Sequence, residues 1–308
     1  MRTLYLGLDV GGTKCAVVLG DGEGRVHERV EWASLAQRGP EAMISDLVFH
    51  AQSILSGQGA RSVGVSIGGP LNAAQGVVHG PPNLPGWDGV PLRARLQDEL
   101  DLPISVEHDA AACALAEYRW GAGRDAGRLG FLTCGSGFGV GLVFDGEPYY
   151  GTGGRSIEIG HVRYCDDGPV AFGKRGSFEA FAAGNSLPKL AAWKFPYRWG
   201  SDPPTAKELA DLASLDDPDA RLIIDLNATA VGDACALIGD LLFLDLMTIG
   251  SLGRYLGESW LEQVRQRCLD QVLPEVGRNY RIESAALGQC LQDCAALVAA
   301  VRADPFQP

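Results

Sequence analysis

Two stretches of this chain repeat one pattern, and a chain that carries it twice has few folds open to it. Tyr5 to Lys14 reads YLGLDVGGTK: an apolar, β-prone run (Leu4, Leu6, Leu8, Val10) meets a Gly-Gly-Thr turn and resumes as Cys15–Leu19. Further on, Leu129–Cys134 runs into Gly135-Ser136-Gly137-Phe138-Gly139 and resumes as Val140–Phe144. Each reads as a strand, a tight glycine-rich turn with a hydroxyl, and a second strand. The recurrence reads as an internal duplication and predicts a two-lobed α/β chain. Its first lobe covers 1–120, its second 121–288, and a C-terminal helix, 289–308, returns to the first.

The turns are where chemistry could sit. Gly11 and Gly12 let backbone N–H groups approach a ligand with no Cβ in the way, Thr13 and Lys14 add a hydroxyl and a cation, and Asp9 points a carboxylate at the same mouth. That set suits a phosphate with its Mg²⁺, and two such hairpins facing each other could clamp a polyphosphate. The same residues also make an ordinary hairpin turn. GAGRDA, 121–126, fits the dinucleotide spacing G-x-G-x-x-A but follows a helix rather than a strand, which rules that match out.

Charge narrows the partners. A net charge of −12 repels phosphate-rich polymers and anionic membrane surfaces, so no nucleic-acid or membrane partner is expected. The eight cysteines form no C-x-x-C pair and fall in apolar stretches, as in a reduced, cytoplasmic protein. No apolar run approaches the ~20 residues of a membrane span, and neither signal peptide nor anchor is expected.

Between the hairpins, a strand at 25–32, a helix at 40–56 and a buried strand at 62–67 lead to Gly68-Gly69-Pro70. The stretch from Gly76 to Trp87, GVVHGPPNLPGW, reads as irregular loop. Asn83 and Trp87 there offer a polar hand and an aromatic face to a sugar, or else Trp87 simply packs on the body. A helix at 91–100 and a strand at 104–107 precede the Ala-rich helix Asp109 to Trp120. Asp109, at that strand-to-helix junction, is either an N-cap or a carboxylate placed to take a proton from a substrate hydroxyl. Later come a loop at 165–176, helices at 177–183, from 187, at 205–213, 221–244, 258–273 and 284–303, and a strand at 246–249 ending in Gly250-Ser251.

The order of these motifs resembles the sugar kinases of the ROK family (repressors, open reading frames, kinases), over nearly the whole chain. That family has the actin-like ATPase (ribonuclease H-like) fold with a duplicated core. Its D-x-G-G-T-K is matched by Asp9 to Lys14, its P-N-L-P-G-W stands unchanged from Pro82 to Trp87, and its G-x-G-x-G is matched by Gly135, Gly137 and Gly139. Its E-x-G-H is matched by Glu158, Gly160 and His161, and a later sugar-contacting Glu by Glu179. The resemblance implies ATP-dependent phosphorylation of a hexose or N-acetylhexosamine, at the 6-OH, with Asp109 as general base. Gly69, Asn83, His108, Asp109, Glu158, His161 and Glu179 would hold the sugar. ATP would be held by Asp9, Gly11, Gly12, Thr13, Lys14, Gly135, Ser136, Gly137, Gly250 and Ser251, with Asp9 holding Mg²⁺ through water. A homodimer whose lobes close on the substrate is implied as well.

Departures from the pattern are as informative. His108-Asp109 replaces the family's Asn-Asp, and Ser251 stands where a second Gly is usual. Many members bind Zn²⁺ through the E-x-G-H histidine and three cysteines, but Val170, Phe172 and Ser177 occupy those cysteine positions, so no zinc site is expected. The loop of His161 must then be held by packing, through Phe172 and Phe178. These departures leave a second implication: a catalytically silent, sugar-binding regulatory protein without a DNA-binding domain.

Overall fold

Leu4–Val10 (β1) and Lys14–Asp21 (β2) pair antiparallel, Leu4 opposite Asp21 and Val10 opposite Cys15, in a computed structural model that describes residues 3–306. Val26–Ala33 (β3) adds an outer strand, and after Gly39–Leu55 (α1) the fully buried Val63–Ile67 (β4) pairs parallel with β1. Leu71–Asn72 (β5), Val77–His79 (β6) and Asp88–Val90 (β7) form a small antiparallel sheet. Leu92–Leu100 (α2), Ile104–His108 (β8) and Asp109–Trp120 (α3) follow, and the main sheet runs β3-β2-β1-β4-β8.

Arg128–Cys134 (β9), Phe138–Phe144 (β10) and Glu147–Pro148 (β11) open the second sheet. Val170–Ala171 (β12) and Lys174–Arg175 (β13) make a separate short hairpin. A run of helices follows: Phe178–Ala182 (α4), Leu187–Lys194 (α5), Pro196–Trp199 (α6), Ala206–Ser214 (α7) and Pro218–Leu242 (α8). Leu246–Ile249 (β14), Leu252–Leu269 (α9), Pro274–Gly277 (α10) and Arg281–Ser284 (β15) complete the sheet order β11-β10-β9-β14-β15. Leu291–Ala303 (α11) is the last helix. The chain divides into two compact units. One takes in the chain up to Arg124, Gly141–Ile157 and the segment from Leu287 on; the other takes in Asp125–Val140 and Glu158–Ala286.

In the first unit, α11 lies directly on the sheet because both surfaces are small. Gly7 of β1 stands opposite Gly64 of β4, and Ala295, Ala296, Ala299 and Ala300 are wholly buried. A Cβ on Gly64 would stand 2.0 Å from the Ala300 amide nitrogen, so only glycine admits the helix at this height. The Ser62 hydroxyl donates to the Ala300 carbonyl at 2.6 Å, and Arg29 Nε donates to both Asp293 carboxylate oxygens, at 3.1 and 2.9 Å.

Several sequence expectations need correction. The 76–87 stretch is not wholly irregular, because Val77–His79 pairs with strands on both sides. Likewise 165–176 contains the β12–β13 hairpin. The helix expected at 258–273 begins at Leu252, is broken at Gly257 (φ 79°) and ends at Leu269. That expected at 221–244 begins at Pro218, where Asp217 caps the amides of Asp219 and Ala220, and ends at Leu242. The segment expected to be helical from Ser284 begins its α-helix at Leu291, with Ser284 still in β15. Contrary to the hydropathy reading, α8 is long and apolar enough to cross a membrane by length and composition; 61% of that apolar window is buried inside the fold.

Candidate functional site

The first turn is held by its own backbone. Gly11 N–H donates to the Lys14 carbonyl at 3.0 Å, and a Cβ on Gly12 would stand 2.6 Å from the Asn83 carbonyl oxygen. Gly12 is therefore open for the Pro82–Trp87 segment, which brings Asn83 onto the turn; the Asn83 residue itself is exposed. Trp87 resolves its two readings: it is wholly buried, so its ring is core and offers no face to a sugar. Lys14 reaches outward, donating Nζ to Glu31 at 2.7 Å. That bond and one from Arg29 pull the Glu31 carboxyl down to about 2. Sequence reasoning passed over this chain of charges, Lys14, Glu31, Arg29 and Asp293, because its members lie on three separate elements.

Asp9, at the end of β1, is pushed up to about 7, first by burial and then by the fields of Asp109 and Asp293. Asp109 and Asp293 stand near enough for their charges to reach Asp9, but no group of three or more His, Cys, Asp or Glu among the described residues is placed to hold a metal ion directly, so Asp9 could serve Mg²⁺ only through water. The raised value has a consequence for stability. The folded chain holds the Asp9 proton more tightly than the unfolded chain between the ordinary 3.8 and about 7. Asp9 thus favours folding most at low pH, and this contribution is lost as pH rises through about 7. Thermal unfolding across that interval should show a downward stability slope that Asp9→Asn flattens; an equal slope in the variant would contradict it.

His108 and Asp109 meet where β8 becomes α3. His108 is buried and is the N-cap residue by its backbone, so Asp109 is the first helical residue and not the cap expected as its structural role. The Asp109 carboxylate is two-fifths exposed, with Oδ1 accepting the Ala110 N–H at 2.6 Å and lying 3.4 Å from His108 Nδ1. On its other edge the imidazole packs on Gly69, where a Cβ would stand 2.6 Å from Cδ2 and 2.8 Å from Nε2. The first unit therefore gathers Asp9, Gly69, His108 and Asp109. Behind them, buried Glu107 accepts from the Tyr150 hydroxyl and, at 2.8 Å, from Ser105, a support that no motif announced.

The second unit gathers the rest. Gly135 N–H donates to the Gly137 carbonyl at 3.1 Å, and the Gly135 carbonyl accepts from Asn185 N–H at 3.1 Å. Ser251 Oγ would lie 3.3 Å from a Cβ on Gly135, so the 250–251 loop meets the second turn. Ser251 sits at φ 27°, a left-handed conformation that explains why glycine suits this position better. Ser136, at the tip, is exposed.

A Cβ on Gly160 would stand 2.0 Å from the Phe138 carbonyl oxygen, so the E-x-G-H turn lies against the start of β10. Glu158 and His161 are exposed there, and both act electrostatically on half-buried Glu179. Glu179 Oε2 accepts the Phe138 N–H at 3.2 Å, a bond that the sequence does not reveal. Burial is the main cause that raises its carboxyl above the ordinary range, opposed by that bond. The His161 loop is held by packing: His161 meets Phe172 edge-on at 5.9 Å, and Tyr164 lies on Phe178 at 4.8 Å. Ser177, at one of the positions of the zinc-binding cysteines in many ROK proteins, caps α4 by accepting the Ala180 N–H at 3.3 Å.

Known proteins resemble this chain over nearly its whole length. A sequence profile of the ROK family matches residues 5–298. The chain is 28% identical to a glucokinase of Thermotoga maritima over 292 residues, 92% of each chain. To an N-acetylmannosamine kinase of Salmonella paratyphi B it is 31% identical over 299 residues, 93% of this chain and 97% of the other. Its fold matches a ROK family glucokinase from Streptomyces griseus in complex with glucose and AMPPNP, with a TM-score of 0.81 and 26% identity, covering 97% of this chain and 99% of that one.

Proposed function

We propose, from the premise that the chain belongs to the ROK family and is one of its sugar kinases, that it transfers the γ-phosphoryl group of ATP to the 6-hydroxyl of a hexose or N-acetylhexosamine. Glucose and N-acetylmannosamine lead the candidates, being the sugars named for its relatives. The observation that carries the reading is the partly exposed Asp109 carboxylate at the head of α3, beside His108 and Gly69.

Asp109 acts as general base. It takes the hydroxyl proton as the sugar oxygen bonds to the γ-phosphorus and the bond to the β–γ bridging oxygen breaks, releasing ADP. The transition state is loose, so positioning and charge neutralisation outweigh early proton removal. Backbone N–H groups of Gly11 to Lys14 and of Gly135 to Gly137 hold phosphate oxygens, and Gly250 and Ser251 hold the adenosine. Asp9 would hold Mg²⁺ through water, and the ion would supply charge neutralisation on the phosphates. Gly69, Asn83, His108, Glu158, His161 and Glu179 bind sugar hydroxyls. An imidazole at 108 offers one donor or acceptor per nitrogen where the family's amide offers both, which alters which hydroxyl pattern is preferred.

The test is coupled ADP release with Mg-ATP over glucose, mannose, fructose, allose, N-acetylglucosamine and N-acetylmannosamine. Turnover is expected on glucose or N-acetylmannosamine. Its absence on every sugar would overturn the reading.

A further inference from the structure

Glu179 stands where two tasks of the second unit meet, and we propose that it is a positioning residue coupling sugar occupancy to the phosphate turn at 135–138. The identity of the two ligands rests on the sugar-kinase reading above. One carboxylate oxygen is committed to the turn, through the Phe138 N–H at 3.2 Å, and it lies 3.1 Å from where a Cβ on Gly137 would stand. Any side chain at 137 would displace it. Its own backbone is anchored independently, since the Glu179 carbonyl accepts the Ser186 hydroxyl at 2.7 Å and the helix is capped by Ser177.

A single backbone N–H leaves a carboxylate with acceptor sites to spare. Among the described residues Glu179 makes no ion pair, although it is half-buried. Such a group is costly unless further donors complete it, and neutral hydroxyls are the donors a sugar brings. A residue whose only task was to satisfy Phe138 N–H would need neither the charge nor the spare oxygen. The charged groups acting on Glu179 are Lys189 of α5 and Glu158 and His161 of the E-x-G-H turn, the latter two on the proposed sugar-binding side.

Coupling follows from shared ordering. A sugar hydroxyl donating to the free oxygen fixes the side-chain torsions, makes the Phe138 bond persistent, and so holds the turn amides in place for phosphate. A second ligand then binds a group already ordered by the first, which gives positive cooperativity.

The test measures amide exchange at Phe138 and affinity for Mg-AMPPNP in the full-length protein, each with and without saturating glucose or N-acetylmannosamine. In the wild type, sugar should slow Phe138 exchange and tighten Mg-AMPPNP binding by about fivefold or more. Glu179→Asp, one methylene shorter and equally charged, should speed Phe138 exchange by roughly tenfold and bring the coupling ratio to about one. Glu179→Gln, whose amide oxygen can still accept that N–H but whose remaining NH₂ cannot accept a sugar hydroxyl, should leave Phe138 exchange without sugar near the wild-type rate and bring the coupling ratio close to one; full coupling in it would count against the spare oxygen as the sugar's acceptor. Unchanged Phe138 exchange in Glu179→Asp, full coupling in that variant, or no coupling in the wild type would each overturn the proposal. Failure of the kinase reading looks different: no turnover on any sugar, with sugar-dependent nucleotide affinity intact.

Discussion

Replacing Asp109 by Asn is expected to lower kcat about a thousandfold, ~4 kcal/mol of transition-state stabilisation, while sugar affinity measured by calorimetry stays within about threefold. Asparagine keeps the size of the side chain and an oxygen able to accept the Ala110 N–H, so the junction between β8 and α3 should stand. What it loses is the capacity to take a proton from the sugar hydroxyl. A uniform loss of sugar binding and turnover would mean that Asp109 binds rather than catalyses. Unchanged turnover would remove it from the mechanism altogether. His108, 3.4 Å away, is the nearby alternative base, and the pair Asp109→Asn and His108→Asn, assayed side by side, separates the two roles. The histidine change should shift sugar preference and spare most of kcat.

The second large effect concerns the scaffold. Gly64→Ala is expected to destabilise the protein by roughly 4 kcal/mol or more and to lower the melting temperature by on the order of 10 °C. The added methyl would lie 2.0 Å from the Ala300 nitrogen, 2.3 Å from the Ala296 oxygen and 2.5 Å from the Ala299 carbonyl carbon. All three are backbone atoms of α11, so no rotamer change relieves the clash and the helix must lift from the sheet. Lifting it would break the Ser62 bond to Ala300 and draw Asp293 away from Arg29. Gly57→Ala is the control, since nothing lies within 4 Å of a Cβ there, and it should change stability by no more than about 0.5 kcal/mol. Equal melting of the two variants would show that α11 is not seated on β4 as described.

Local sequence carries what local physics controls. Leu4–Val10 alternates, turns at two glycines and resumes, and the pairing of β1 with β2 followed. Asp109 opens an Ala-rich helix after an apolar strand, and it stands at that junction. Short strand pairing is not carried by local sequence. Val77–His79 looks like loop beside so many prolines and glycines, yet its amides and carbonyls find partners in residues on both sides. Gly257 and Pro218 moved helix ends because a glycine at positive φ and a proline after a capping Asp act over one or two residues.

By itself, then, the sequence determined the two glycine-rich hairpins, the order of the motifs and the family they belong to, since propensity, turn chemistry and motif spacing are properties of neighbouring residues. Only the tertiary structure decided that Trp87 is core, that Gly12 is bare for Asn83, that Asp9 shares its field with Asp109 and Asp293, and that Glu179 reaches Phe138. Each of these joins residues distant in the chain. Their energies come from desolvation, close packing and charge at short range, which the fold creates by bringing those residues together.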